Sequence, residues 1–270
     1  MPQQFSNALG LSSYVTSNYN SLQVKVQKRF SRGFQFLTSY TWSKSIDLSS
    51  ERGSGDRAMD GGDPRNLRGY FRGLSGFDLR QRLVTSYVYD LPFGRGRAFL
   101  KKLPVVADKL IGGWQLSGIT QFQGGFPFSI LMSGDQNGDG LGGDRPDLLG
   151  KPVIRPGNPS CYIADPRNAA CGSNVATVFA AVPAAQARFG SAGRNILIGP
   201  GLRSWDVSLA KNHRFAERFN VQFRAEFFNF FNNVNFNQPN RTFNLTSPVF
   251  GTITTADRAR EMQFGLKLVF

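Results

Sequence analysis

The chain has 270 residues, 40% of them hydrophobic, with 25 Phe, 7 Tyr and 3 Trp and a formal net charge of +14. Its longest apolar stretch, Val175 to Ala187, is broken by Pro183 and falls short of the run of about 18 that a membrane-crossing helix needs, which excludes a helical membrane protein. The basic residues are scattered through segments such as KVQKRFSR and KNHRFAER without a basic block or a known nucleic-acid motif, so nucleic acid is set aside as a partner.

The opening segment, MPQQFSNALGLSSYVTSNYN, has neither the basic n-region nor the apolar h-region of a secretory signal. Either a piece of a longer exported chain or a cytosolic protein fits that opening. Beyond it, alternation with a period of two sets the class. Leu22, Val24 and Val26 share one strand face, with Gln23, Lys25 and Gln27 on the other. A tight FSRG turn leads to Phe34, Phe36, Tyr40 and Trp42, opposed by Gln35, Ser39, Thr41 and Ser43. Leu83, Tyr87, Tyr89 and Leu91 fall together, and so do Trp114, Leu116, Gly118, Thr120 and Phe122. Trp205, Val207 and Leu209 make a fifth face, and Phe219, Val221, Phe223, Ala225 and Phe227 a sixth. The chain ends on Met262, Phe264, Leu266, Leu268 and Phe270, alternating with Glu261, Gln263, Gly265 and Lys267. The expectation is an all-β fold of about seven antiparallel strands of roughly 9–12 residues, the length of a tilted strand crossing a bilayer.

The connections sort into two kinds. Phe30 to Gly33 and Arg214 to Arg218 are short, and Pro92 to Gly112 is intermediate. Ile46 to Phe77, Leu131 to Leu202 and Asn232 to Ala259 are long, polar and rich in Gly, Asn, Asp and Pro. Short and long alternate along the chain. A transmembrane barrel has short periplasmic turns and long outer loops, whereas loops of this length are out of place in a compact soluble domain. With the last strand ending at the periplasmic side, an odd number of strands brings the first one in from outside, so a partial barrel is expected.

Five segments carry a family resemblance: YNSLQVKVQKRFSRGFQFLTSYTWSKSID, FDLRQRLVTSYVYDLPFGRG, GGWQLSGITQFQGGFPFSI, FGSAGRNILIGPGLRSWDVSLAKN and FRAEFFNFFNNVNFNQP. They resemble successive strands of the barrel of Oar-like TonB-dependent outer-membrane transporters, which carry a carboxypeptidase-regulatory-like domain. The resemblance spans nearly the whole chain. It implies that residues 1–270 are the C-terminal part, about a third, of a barrel of about 22 strands. The plug and N-terminal domains of such a transporter have no counterpart here. The implied partners are outer-membrane lipid, lipopolysaccharide, the barrel-assembly machinery, the remainder of the barrel with its plug and, through the plug, TonB.

Several residues invite particular roles. The terminal pattern Met262, Phe264, Leu266, Leu268 and Phe270 resembles the signal read by the barrel-assembly machinery, although an ordinary half-buried last strand alternates in the same way. Trp42, Tyr87, Tyr89, Trp114 and Trp205 suit an interfacial aromatic girdle, having apolar rings with a polar handle. The core of a sandwich would use them too, but such broad Phe faces favour lipid. Arg224 and Glu226 share the polar face of an aromatic strand and are expected as a lumen-facing ion pair. Cys161 and Cys171, the two cysteines, sit in the longest loop and are expected to form a local disulfide of an oxidising compartment. Asp135, Asn137 and Asp139 match the opening of a calcium loop, and Asp144 offers another oxygen. Pro146 stands where the closing Glu belongs, so a solvated Asn/Gly/Asp loop is preferred over calcium, and no cofactor is expected. With one His and no nucleophile–base pair, no enzyme is expected. The reading is thus the wall and outer loops of an outer-membrane transporter for substrate uptake. A secreted β-sandwich adhesin or carbohydrate-binding module is the alternative.

Overall fold

The computed structural model describes residues 15–50, 63, 66–138, 142–172, 174–215, 219–244 and 247–269. Among them are seven long strands: β1 (Ser17–Ser31), β2 (Phe34–Asp47), β3 (Gln81–Asp90), β4 (Trp114–Gln123), β5 (Leu202–Phe215), β6 (Phe219–Phe228) and β7 (Glu261–Val269). They lie in chain order in one open antiparallel sheet, each paired with the next. The other described sheets are pairs of two-residue strands, so the second large sheet that a sandwich needs is not among the described residues. The expected strand lengths need correcting: β1 has 15 residues and β2 and β5 have 14 each. The ladder continues past the apolar band because each added pair satisfies backbone groups that polar strand ends would otherwise leave to water.

Register decides which residues share a face, since a slip of one residue inverts every side chain. Lys28, Phe36, Tyr87, Gly118, Val207, Phe227 and Met262 form one continuous row across the sheet. Phe34, Tyr89, Leu116, Leu209, Ala225 and Phe264 form the next. Between them, on the opposite face, run Gln35, Val88, Ser117, Ser208, Glu226 and Gln263. The apolar sets deduced strand by strand therefore join into a single outward face, with a polar inward face behind it. Gly118 leaves a gap in the outward face that the Tyr87 ring covers; a Cβ there would come within 2.6 Å of the Tyr87 hydroxyl.

At one end of the sheet, β1 turns into β2 through Arg32 (φ 53°) and Gly33 (φ 79°), with Ser31 opposite Phe34. Two positive φ values in a two-residue loop follow the right-handed twist of the flanking strands, which explains the glycine. The other end carries the long connections, and there the structure departs from the expectation of polar loops. The described residues of 124–201 and 229–260 interlock into a cap with its own hydrophobic core of Phe128, Ile130, Tyr162, Phe179, Phe243 and Phe250, among others. Leu131–Met132 pairs in parallel with Thr242–Phe243, joining the two connections. Phe179, Phe243 and Phe250 meet edge to face at centroid distances of 5.3–6.3 Å. All three are at most 1% exposed, and burying each side chain contributes about 1.5–3 kcal/mol.

Candidate functional site

Three surfaces are the candidates for function: the inward face of the sheet, its outward face, and the junction between sheet and cap. The inward face lines a concave cavity of about 570 Å³ that draws Gln27, Leu37, Ser86, Ile119, Ser208 and Glu226 from six successive strands. Only a sheet curved toward its polar side brings these strands around one space. Arg224 and Glu226 lie on this face, with Nη1 and Oε1 3.5 Å apart and Arg224 half exposed. A pair of that kind is worth roughly 0–1 kcal/mol, so it orders the surface more than it stabilises the fold.

The outward face keeps large apolar side chains in the open: Leu266 is 76% exposed and Phe264 65%. Such a continuous patch would be costly in water. The aromatic residues singled out in the sequence occupy two levels on this face. Trp42 and Trp205 stand toward the cap, Trp42 opposite Gln81 and Trp205 opposite Thr120. Tyr89 and Trp114 stand near the turns, Tyr89 opposite Phe34 and Trp114 opposite Lys211, with Tyr87 one outward position higher than Tyr89. Trp205 packs edge-on against Phe122 at 4.7 Å and Phe231 at 5.1 Å. Met262, Phe264, Leu266 and Leu268 face outward along β7, whose far edge is unpaired among the described residues. Phe270 lies outside the described residues.

At the junction the inward side chains of β2 disappear under the cap. Ser43, Ser45 and Asp47 are buried, although Gln35 and Ser39 on the same face are exposed. Asp47 pairs with Arg194 at 2.5 Å, both within a tenth of full burial, and Arg194 also donates to Ser50 Oγ at 2.5 Å. Next to it Asn195 donates to the Leu74 carbonyl at 2.6 Å. Arg145 stacks on Tyr70, 3.5 Å from the ring centroid, and donates to the Tyr70 carbonyl at 2.6 Å. Burial holds the Arg145 guanidinium below its ordinary range. These contacts tie the cap to the connection between β2 and β3. Sequence reasoning missed Asp47, Arg145 and Arg194. For Asp47 the signal existed, an acid in inward phase at the end of a strand; the arginines carried none.

Cys161 and Cys171 are joined, with Cα atoms 5.2 Å apart, and both are buried beside the cap core. Arg155 donates to Cys161 Sγ at 3.5 Å and to the Cys171 carbonyl at 3.1 Å. In the calcium-like segment, Asp135 accepts from the Gly138 amide at 2.7 Å. Asp144 accepts from the Gln136 amide at 2.6 Å and from Asn137 Nδ2 at 3.2 Å. Asp139 lies outside the described residues, and no group of three His, Cys, Asp or Glu side chains suited to a metal is found among the described ones. The carboxylates seen there close the loop.

An antiparallel sheet with an apolar outward face, a polar concave inward face, short turns at one end and a folded cap at the other defines a wall of a transmembrane β-barrel. Residues 1–263 match the outer membrane beta barrel domain, and the chain belongs to that family. Its place is the outer membrane. No curated protein and no solved structure matches the chain.

Proposed function

We propose that this chain forms the wall and part of the outer ligand vestibule of a TonB-dependent transporter that takes substrate up across the outer membrane. The inward face carries this reading. It gathers Gln35, Ser117, Ser208 and Glu226, with Leu37, Val88 and Ile119 between them, around a concave space of about 570 Å³, a mixed polar and apolar surface suited to a plug inside the barrel. The cap supports it, because a folded loop layer that leans over the inward face can form one side of a vestibule above the plug. The wall has no catalytic step of its own. Lipopolysaccharide would meet the positive charge at the cap end, and the barrel-assembly machinery would read the outward residues of β7.

The test uses the protein purified from outer membranes with whatever precedes this chain attached. It should retain the purified periplasmic domain of TonB and conduct few ions across a planar bilayer, as a plugged barrel does. A protein that assembles correctly, conducts steadily as an open pore and ignores TonB would sink the transporter reading while leaving the family assignment intact.

A further inference from the structure

The connection from β3 to β4 at the short-turn end is an ordered unit with the composition of a membrane-surface element. Its helix, α1 (Val105–Ile111), has no buried residue. The segment before it folds back on itself, with Phe99 N donating to the Pro92 carbonyl at 2.9 Å and Gly94 N to the Phe99 carbonyl at 3.1 Å. Asp108 pins the helix to this fold by accepting from the Arg95 amide at 2.6 Å. Two outward-facing residues of the sheet then grip its end: the Leu110 carbonyl accepts from Trp114 Nε1 at 3.0 Å and from Lys211 Nζ at 2.8 Å. Trp114 and Lys211 are cross-strand neighbours in the outward rows, so α1 hangs on the outward side of the wall, below the apolar band.

There it exposes what a soluble surface hides. Val106 is 73% exposed and Leu110 70%, and Phe99 and Leu100 are at least half exposed. This patch continues the outward face through Leu116 and Leu209, which are neighbours in the next row. Beside it opens a cavity of about 300 Å³ lined by Arg95, Arg97, Lys109, Lys211 and His213, with Asp108 as the acid in its wall. Asp108 is engaged by the Arg95 amide, and Arg97 reaches Asp90 only at 3.9 Å. Cations therefore outnumber acids around a pocket bordered by exposed apolar side chains.

We propose that this pocket binds the phosphate headgroup of an anionic phospholipid in the leaflet at the short-turn end, with the acyl chains rising along Trp114 and Leu116 and α1 lying in the interface. Two arguments select this occupant: the charge complements a phosphodiester, and the surface continues the face that lipid already covers. Short turns of such barrels face the periplasm, so the leaflet concerned is the phospholipid one. The inference needs the outer-membrane placement and not the transporter reading.

Native mass spectrometry of the detergent-solubilised protein, titrated with phosphatidylglycerol or phosphatidylcholine, tests it. Phosphatidylglycerol should be retained about tenfold better. The double variant Arg95→Gln, Lys109→Gln should lose this preference with unchanged heat-modifiable gel mobility, whereas Arg258→Gln at the cap end should keep it. In mixed bilayers, quenching of tryptophan fluorescence by brominated phosphatidylglycerol should fall in Val106→Ser, Leu110→Ser. Equal retention of both lipids by the unaltered protein would overturn the proposal. So would release of bound lipid by inorganic phosphate at matched concentration, which would mark a free-anion site.

Discussion

In the sheet most residues of the outward phase turn apolar side chains away from the protein; in the cap the apolar side chains turn toward one another. Leu266 is 76% exposed on the wall, and Phe179 is fully buried in the cap, yet both serve burial. The wall completes its burial with lipid and the cap completes its own. The difference teaches where each region meets its solvent. A wall strand needs only the alternation and correct register, because lipid has no fixed shape to match. The cap must fill its own interior, so it needs side chains from two connections far apart in the chain and a disulfide at its edge. The buried Asp47–Arg194 pair stands where the two regimes meet.

Breaking the cap alone should have the largest effect. Phe179→Ala removes a ring packed against Phe243 and Phe250, and should cost the cap about 3–5 kcal/mol. Limited proteolysis of the outer loops should rise sharply while heat-modifiable mobility persists. Equal loss of both would mean that the cap and the wall are one cooperative unit.

The wall is probed by two adjacent residues. Leu209 faces outward between Leu116 and Ala225, and Ser208 faces inward between Ser117 and Glu226. Leu209 lies one outward row above the turn-side interface. Leu209→Arg should therefore cost about 1–2 kcal/mol, between the midplane and boundary costs of a lipid-facing charge, whereas Ser208→Arg gains an acidic neighbour and should assemble normally. The fraction of folded barrel in outer membranes measures both. Equal defects would show that the assigned register is wrong.

The smallest effect concerns pH and belongs to the cap. Burial raises the Tyr162 phenol to about 12, and its hydroxyl donates to the Ile198 carbonyl at 2.9 Å. Because the folded value lies above the ordinary 10.0, the neutral phenol stabilises the cap fully below about pH 10. That contribution drains away as pH rises through about 12. Tyr162→Phe should cost about 0.5–1.5 kcal/mol at neutral pH and flatten this alkaline loss, read as loop proteolysis against pH. An unchanged alkaline profile would remove Tyr162 from the account.

How much was legible depended on how local each constraint is. The seven strands, their two faces and the alternation of short and long connections could be read directly, because a pleated backbone sends neighbouring side chains to opposite sides wherever it occurs. Strand ends were less legible: β1 and β2 run several residues past their apolar positions, where pairing continues without a hydropathy signal. The cap was hidden. Phe128, Ile130 and Met132 alternate like a short strand and Val178, Phe179 and Val182 cluster in the Val175 to Ala187 stretch, but nothing local says that they meet Phe243 and Phe250.

The sequence by itself thus determined the class of surface that the wall presents, since alternation and strand length are properties of single segments. Tertiary structure alone decided which connections share a core, that Arg194 meets Asp47 across 147 positions, and that α1 hangs on the outward side through Trp114 and Lys211. Each of these rests on shape and hydrogen-bond geometry between distant segments, and a single sequence carries no periodic trace of a contact made only once.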